Sequence, residues 1–167
     1  MFVAIISDIH DNLINLKTCL DWCRNNKIEA MICCGDVTNS DTIEYLSKHF
    51  PGKIHLVKGN IELYNEAELE KYKNIIYYGK TGRFEIGSKI VGVCHEPFYR
   101  EDVIKKGRCD IIFYGHTHKP WEKVETRHGA SLRLVNPGTL GGVFLKATFA
   151  AWDTDSDNIE LIILDNI

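Results

Sequence analysis

Continuous apolar runs recur through the first half of the chain, and glycine or polar residues follow each of them. The runs at 2–7, 30–34 and 53–57 are rich in aliphatic and β-branched side chains and are only a few residues long. Runs of this length and composition are typical of β-strands that are buried on both faces. The pattern therefore predicts three buried strands.

Segments with helical spacing lie between and after these runs. Asp11-Asn12 offers a cap for a helix that continues to about residue 26, and Ser40-Asp41 offers a cap for a second, shorter helix. Residues 62–72 predict a charged surface helix. Strands that alternate with helices predict a parallel sheet with right-handed crossovers.

The second half of the chain has a different pattern, in which short strand-like runs flank turn residues. Three hairpins, a short helix and a buried strand are predicted there: 83–86 with 89–94, 121–127 with 130–135, 147–153 with 159–164, helix 100–107 and strand 110–114. The chain is thus α/β at first and antiparallel later. No linker, repeat or low-complexity segment divides it, so residues 1–167 are predicted to form a single domain.

Composition and charge exclude several classes of protein. The chain is 44% hydrophobic and 26% charged with a formal charge of −3, which argues against nonspecific binding to nucleic acid or acidic lipid. No apolar run approaches the roughly 20 residues that cross a bilayer. The N-terminus lacks a basic leader, so it is interpreted as a strand and not as a secretion signal. We therefore expect a cytoplasmic protein without a membrane segment.

Cysteine spacing also favours a cytoplasmic protein. None of the six cysteines forms a Cys-x-x-Cys pair, and most fall on apolar patterns: Cys19, Cys23, Cys33, Cys34, Cys94 and Cys109. This placement favours buried free thiols in a reducing compartment over disulfides or a thiolate metal site.

Candidate metal ligands follow five of the apolar runs. The ends carry two carboxylates, one amide and four imidazoles: Asp8, His10, Asp36, Asn60, His95, His116 and His118. Ligands collect at the carboxyl ends of strands in α/β sheets. Oxygen and imidazole donors without thiolate suit manganese, iron, zinc or nickel. Seven donors exceed the need of one ion, whereas two ions that share a carboxylate account for them, an arrangement typical of phosphate-ester hydrolases.

These strand-end motifs resemble the signatures of the calcineurin-like metallophosphoesterase superfamily, in the same order. The motifs are Asp8-x-His10, Gly35-Asp36, Gly59-Asn60, His95 and Gly115-His116-Thr117-His118. The match spans residues 3–118, and Asn136-Pro137-Gly138-Thr139 is similar to a turn in the small prokaryotic phosphodiesterases of the family. The resemblance implies a four-layer sandwich, with two facing mixed β-sheets flanked by helices.

The resemblance also implies a ligand set and a mechanism. Asp8, His10, Asp36 and His118 would hold one divalent ion, and Asp36, Asn60, His95 and His116 the other, with Asp36 bridging. Manganese is the first expectation, with zinc, iron or nickel as alternatives. A hydroxide between the ions would attack phosphorus in line with the leaving oxygen, and Asn60 and His95 would contact the phosphate as well as a metal. The expected partner is a small phosphate-ester substrate.

The sequence departs from the family pattern at positions that bear on the substrate. Ile61 stands where many members have a histidine that protonates the leaving group, which favours activated or cyclic diesters. Asp11 replaces a common glycine, with either a helix cap or a contact to His10 as its role, and Glu96-Pro97 alters the entrance. A phosphomonoesterase and a non-catalytic protein-binding scaffold of the same fold, like the retromer subunit, are the alternatives. The oligomeric state stays open.

Some polar and aromatic residues are interpreted as structural. His49, His55 and His128 lie away from the strand ends and are predicted to be surface or packing residues. The Tyr77-Tyr78 pair is expected to pack on a sheet, although it also offers a surface on which a base could stack.

Overall fold

Strands in two β-sheets form the centre of the protein in the computed structural model, which describes residues 1–127 and 129–167. The strands are β1 (Phe2–Ile6), β2 (Ala30–Cys33), β3 (Lys53–Leu56), β4 (Ile75–Tyr77), β5 (Thr81–Ile86), β6 (Lys89–Cys94), β7 (Ile111–Phe113), β8 (Trp121–Arg127), β9 (Ala130–Asn136), β10 (Thr148–Asp153) and β11 (Asn158–Ile163). The helices are α1 (Leu13–Asn25), α2 (Ser40–His49) and α3 (Arg100–Lys105). Short 3₁₀ segments cover Glu66–Lys71, Pro97–Tyr99 and Leu164–Asn166.

The first sheet has the order β11-β10-β1-β2-β3-β4. Its strands β1 to β4 pair in parallel, while β10 pairs antiparallel with both β1 and β11. The parallel sheet predicted for the first half is therefore confirmed, and the final hairpin completes its edge.

The second sheet has the order β5-β6-β7-β9-β8. The hairpins β5–β6 and β8–β9 are antiparallel, as predicted. The pairs β6–β7 and β7–β9 are parallel, which the hairpin pattern alone did not predict. Parallel neighbours need a crossover, and α3 lies in the connection between β6 and β7.

Side chains alternate between two layers of core along the central strands. Val3 and Ile5 of β1 face the second sheet, whereas Ala4 and Ile6 pack under the helices α1 and α2. In β7, Phe113 joins the core between the sheets and Ile112 packs with Val103 of α3. Burial on both faces explains why these strands are continuously apolar. The predicted four-layer arrangement is confirmed.

The connection between β3 and β5 corrects the sequence prediction. The predicted helix at 62–72 is wrong: only Glu66–Lys71 is helical, as a 3₁₀ segment, and β4 follows it. Leu69 is the one buried residue of that segment, so no apolar stripe exists to hold an α-helix against the core. Tyr77 lies in β4, and Tyr78 stacks on Phe84 with 5.0 Å between ring centroids, which confirms packing for this pair.

Of the two helix caps predicted from the sequence, one is present in the structure and one is not. Asn12 caps α1, because its Oδ1 accepts a hydrogen bond from the Asn15 N–H at 3.1 Å. The predicted Ser40-Asp41 cap of α2 is wrong, since the helix starts at Ser40 and Asn39 precedes it without a side-chain cap. Asp11 contacts this end of α2 instead: its Oδ1 accepts from the Asn39 N–H at 3.0 Å and from the Thr42 hydroxyl at 2.6 Å.

Cysteines and non-ligand histidines lie where the sequence predicted. All six cysteines are buried and free, and Cys33 and Cys34 belong to the core. His55 is buried against Phe84, with ring centroids 4.0 Å apart, and the Nδ1 of His49 lies 2.8 Å from the Tyr45 carbonyl. His128 lies outside the described residues.

Helix length also bears on the membrane prediction. Within 1–127 and 129–167, no helix is both long enough and apolar enough to cross a bilayer.

Candidate metal centre

The carboxyl ends of five parallel strands meet at one rim between the two sheets. In the first sheet, β1, β2 and β3 are followed by the loops that carry Asp8, His10, Asp36 and Asn60. In the second sheet, β6 is followed by His95, and β7 by His116 and His118. Distances of 4.0 Å or less link all seven predicted residues into one cluster.

One part of the cluster consists of Asp8, His10 and His118. The two Nε2 atoms are 3.2 Å apart, and Asp8 Oδ1 lies 3.2 Å from His118 Nε2 and 3.8 Å from His10 Nε2. The Nδ1 of His118 lies 3.2 Å from the Val143 carbonyl, an acceptor, so this nitrogen carries the proton. The lone pair on His118 Nε2 therefore faces the carboxylate and the other imidazole.

The other part is centred on His95, which is fully buried. Its Nδ1 donates to the Cys34 carbonyl at 2.8 Å, and its Nε2 lies 2.8 Å from Asn60 Oδ1 and 3.3 Å from Asp36 Oδ2. The same amide oxygen lies 2.8 Å from the Nδ1 of His116. Oxygen and nitrogen lone pairs thus converge on one point.

Oxygen and nitrogen lone pairs that lie this close together repel one another unless a positive charge lies between them. Either a second proton on His95 or a bound cation would stabilise its Nε2 beside these oxygens. Asp8 Oδ1 is buried and has no hydrogen-bond partner among the described residues. A buried, unpaired carboxylate oxygen is unfavourable unless a cation neutralises it. The donor set therefore fits divalent ions, and the atoms of Asp8, Asp36 and His95, like those of Asp8, His10 and His118, lie within 4.8 Å of one another.

The surroundings shift the pKa of three residues in the cluster, Asp8, Asp36 and His95. Burial raises the pKa of Asp8, although the charges of His95 and His118 oppose that shift. Burial would also raise the pKa of Asp36, but the hydrogen bond and charge of His95 outweigh it and lower the value. For His95, burial lowers the pKa and the two carboxylates reverse that effect, so the net shift is upward. Perturbed groups in one cleft are typical of a functional site.

Backbone strain is concentrated at the same residues. Five of the seven have positive φ without being glycine: Asp8 at 54°, His10 at 48°, Asp36 at 53°, His116 at 68° and His118 at 58°. This conformation costs roughly 1–3 kcal/mol for each such residue and persists only where surrounding contacts impose it. Strain of this kind clusters at active sites and ligand clamps.

Glycines allow the loops to approach closely. A Cβ at Gly59 would lie 2.0 Å from Asp36 Oδ1, and one at Gly115 would lie 1.9 Å from the Ser7 hydroxyl. Only glycine fits at either position. The glycines in the Gly-Asn and Gly-His motifs therefore have a steric cause.

The structure shows where three residues that depart from the family pattern lie. Asp11 contacts Asn39 and Thr42 at the start of α2, whereas the cap predicted for the first helix comes from Asn12. Ile61 donates its backbone N–H to Asp36 Oδ1 at 2.9 Å while its side chain is half exposed. Glu96 precedes the 3₁₀ turn Pro97–Tyr99, next to His95.

Two residues support the site in ways that the sequence did not predict. The buried side chain of Asn136 donates from Nδ2 to the Gly115 carbonyl at 2.8 Å and so fixes the loop before His116. The Asn-Pro-Gly-Thr motif marked this residue, but not its contact. Glu62 accepts from three backbone N–H groups of neighbouring loops, and no spacing signal identified it. Burial raises the pKa of Glu62, and those N–H groups oppose the shift.

Comparison with known proteins assigns the chain to a family. The model of the calcineurin-like phosphoesterase superfamily domain matches residues 1–157. The chain belongs to this family, which confirms the resemblance drawn from the motifs.

Individual relatives agree with that assignment. A phosphodiesterase of Methanocaldococcus jannaschii is 26% identical over 176 residues, which cover 99% of this chain and 100% of that protein. The structure of an archaeal phosphodiesterase has a TM-score of 0.82 at 24% identity and covers 98% of this chain and 99% of its own. The zinc complex of Vps29 from Entamoeba histolytica has a TM-score of 0.67 at 17% identity and covers 98% and 99%. The two structures establish the shared fold.

Proposed function

We propose that the protein is a dinuclear metal-dependent phosphodiesterase that acts on small phosphate diesters. The observation that carries the proposal is the environment of His95. Its Nδ1 is committed to the Cys34 carbonyl, so its Nε2 faces only acceptor oxygens, those of Asn60 and Asp36. A packing histidine has no need of such surroundings, whereas a metal ligand requires them.

The proposed ligand sets follow from the family pattern and the distances. Asp8, His10, Asp36 and His118 would hold one ion, and Asp36, Asn60, His95 and His116 the other. Asp36 Oδ2 lies 3.3 Å from His95 Nε2 and 3.9 Å from His10 Nε2, a position between the two sets that supports a bridging role. Two donors that each lie about 2.0–2.2 Å from one ion are separated by at most about 4.4 Å, which agrees with these distances.

Divalent ions bound there would supply Lewis-acid stabilisation of charge on the phosphoryl oxygens and a water acidic enough to give a nucleophile near neutral pH. Asp8 and Asp36 are the two carboxylates of the set, so their charges leave the loaded centre positive and able to attract an anionic phosphate. Asn60 and His95 would orient the phosphate together, since Asn60 Oδ1 lies 2.8 Å from His95 Nε2.

The preference for diesters rests on Ile61. Its side chain cannot donate a proton, and its N–H is already bonded to Asp36 Oδ1 at 2.9 Å. A leaving oxygen therefore receives no proton from this position. Diesters with acidic leaving alcohols depend least on such a proton. The matched phosphodiesterase of Methanocaldococcus jannaschii supports the same substrate class.

A protein-binding scaffold of the same fold is the second candidate. Vps29 shares the fold, and Phe144 and Leu63 are highly exposed, at 95% and 73%. Exposed apolar side chains are typical of contact surfaces. Against this candidate, all seven donors are present and their backbone is strained, for which a scaffold has no physical need.

Two assays test the proposal. Protein purified without chelator is analysed for bound metal, with manganese expected first, and then assayed with manganese on bis-p-nitrophenyl phosphate and p-nitrophenyl phosphate. A phosphodiesterase turns over the diester faster, whereas faster turnover of the monoester indicates a phosphomonoesterase. Turnover of neither ester, with no bound metal, overturns the proposal in favour of the scaffold. We propose a cytoplasmic location from the six free thiols, which cell fractionation would test.

A further inference from the structure

Glu62 joins two loops of the candidate metal centre through its carboxylate. Its Oε2 accepts from the Thr38 N–H at 2.8 Å, and its Oε1 accepts from the Gly59 N–H at 3.0 Å and from the Val37 N–H at 3.3 Å. The side chain is only partly exposed to solvent. Both oxygens therefore bind backbone groups of the protein.

The three N–H groups lie next to proposed metal ligands. Val37 and Thr38 directly follow Asp36 after β2, and Gly59 directly precedes Asn60 after β3. Thr38 has a φ of 89° and Asp36 has a φ of 53°, so this loop occupies an unfavourable conformation that outside contacts must maintain. A carboxylate that holds both loops fixes the separation between Asp36 and Asn60.

Ile61 strengthens the same connection. Its N–H donates to Asp36 Oδ1 at 2.9 Å, so the segment Ile61-Glu62 contacts the β2 loop through both its backbone and a side chain. The Asp36 oxygen that remains, Oδ2, is the one that faces His95 at 3.3 Å. The arrangement thus selects which carboxylate oxygen is presented to a metal.

We infer that Glu62 is a positioning residue for the metal centre: it sets the spacing of Asp36 and Asn60, the two oxygen ligands proposed for the second ion. This inference rests on the proposed function. Partners that orient metal ligands typically change metal affinity or activity 10–100-fold when they are removed. We expect a loss of that order in Glu62→Ala, concentrated on one of the two ions.

The competing role for Glu62 is that of an acid that replaces the missing histidine at position 61. Both carboxylate oxygens already accept backbone N–H groups, which does not favour a proton donor. The two roles also predict different behaviour. A positioning defect is relieved by excess metal, whereas loss of an acid is not relieved and worsens as the leaving group becomes more basic.

The experiment measures manganese binding by titration calorimetry and diesterase activity against manganese concentration. The variants are Glu62→Ala, Glu62→Gln and the control Glu68→Gln, which removes an exposed carboxylate that pairs with Lys71. Glu62→Gln keeps one acceptor oxygen but presents an amide N–H₂ to a backbone donor, so it should be intermediate. We expect the second manganese to bind about 10–100-fold more weakly in Glu62→Ala, with activity recovered at high manganese. Glu68→Gln should match the wild type.

Thermal unfolding of the metal-free variants, in chelator, shows whether they fold. If Glu62→Ala is unfolded, the comparison passes to Glu62→Gln, which keeps most of the contacts. Wild-type affinity for both ions in the folded Glu62 variants overturns the inference alone. Activity that stays low at saturating manganese and falls further with basic leaving groups overturns it in favour of an acid. A wild-type protein that binds no divalent ion overturns the proposed function itself, and this inference with it.

Discussion

The two sheets contribute different chemistry to one cluster. The first sheet supplies all three oxygen donors, Asp8, Asp36 and Asn60, together with His10. The second sheet supplies imidazoles alone, at His95, His116 and His118. All the negative charge of the proposed centre thus comes from one side, and the other side adds neutral donors.

The two sides are also held in different ways. The loops of the first sheet bond to each other through their backbones, since the Asp8 N–H donates to the Gly35 carbonyl at 3.0 Å and the His10 N–H donates to the Asp36 carbonyl at 3.1 Å. The second sheet is tied to the first: His95 Nδ1 donates to the Cys34 carbonyl at 2.8 Å, and the His116 N–H donates to Asp8 Oδ2 at 3.1 Å. The loops of the first sheet that carry Asp8, His10 and Asp36 therefore hold one another in place, and we call them the frame. The histidine loops of the second sheet are positioned against it.

Removing a negative charge from the frame should have the largest effect on metal binding and turnover. Asp36→Asn removes the proposed bridging charge, so both ions and nearly all turnover should be lost, a decrease of more than about 100-fold because a ligand matters more than its supporting partners. His116→Asn removes a neutral donor and should weaken only one ion. Metal analysis and diesterase assays on both variants measure the contrast.

Two results would contradict this prediction. If Asp36→Asn keeps both ions, Asp36 is not shared between them. If His116→Asn loses as much metal as Asp36→Asn, the two sides of the cluster do not differ as proposed.

The contact between the sheets is tested at Gly115. A Cβ there would meet the Ser7 hydroxyl at 1.9 Å and Asp8 Oδ2 at 2.8 Å, so Gly115→Ala should push the histidine loop away from the frame. We expect a destabilisation of about 1–3 kcal/mol and, because displaced catalytic groups lose up to about 100-fold in rate, a large fall in turnover. Denaturant unfolding and the diesterase assay measure the two effects.

Gly79→Asn is the control for that substitution. Gly79 has a φ of 67°, and no atom of residues 1–127 or 129–167 lies within 4 Å of an added Cβ. Asparagine tolerates this backbone conformation. Near-native behaviour of Gly115→Ala would show that the two loops can separate without consequence.

Asn136 tests how the histidine loop is supported within its own sheet. Its amide donates to the Gly115 carbonyl at 2.8 Å and accepts from the Gly138 N–H at 2.8 Å. Asn136→Ala leaves the Gly138 N–H without this acceptor, whereas the Gly115 carbonyl keeps its bond from the Thr117 N–H. We therefore expect a loss of about 1–3 kcal/mol in the free energy of unfolding. Asn158→Ala, at an exposed position on β11, should change it by less than about 0.5 kcal/mol. Equal stability of the two variants would remove Asn136 from the support of the site.

The sequence predicted the parallel half and the grouping of the candidate ligands better than it predicted the second sheet, for a physical reason. Buried parallel strands leave continuous apolar runs, and the ligands directly follow them, so position along the chain was enough to group Asp8, Asp36 and Asn60. The pairing of β7 with β6 and β9 depends on contacts between distant segments. The bonds of Glu62, and those of Asp11 to the start of α2, were missed because side-chain bonds between loops leave no periodic signal.

A final contrast concerns two buried histidines on facing sheets. His95 lies beside carboxylates, whereas His55 on β3 is stacked on Phe84, with its Nδ1 2.8 Å from the Tyr78 hydroxyl. Burial lowers the pKa of His55 from 6.5 to about 4. The unfolded chain therefore binds a proton at a pH where the folded protein does not, so stability is fully present above about pH 6.5 and falls as the pH drops toward 4.

His55→Phe should remove that part of the acid sensitivity, because it fills the same space without a titrating group. We expect the free energy of unfolding of the wild type to fall between pH 6.5 and 4 more steeply than that of His55→Phe, by up to about 1.4 kcal/mol per pH unit. Denaturant unfolding at several pH values measures both slopes. Phe84→Leu keeps the imidazole, so it should lower stability but preserve the wild-type slope. If His55→Phe shows the same slope as the wild type, His55 is not buried as a neutral packing residue, and its contrast with His95 fails.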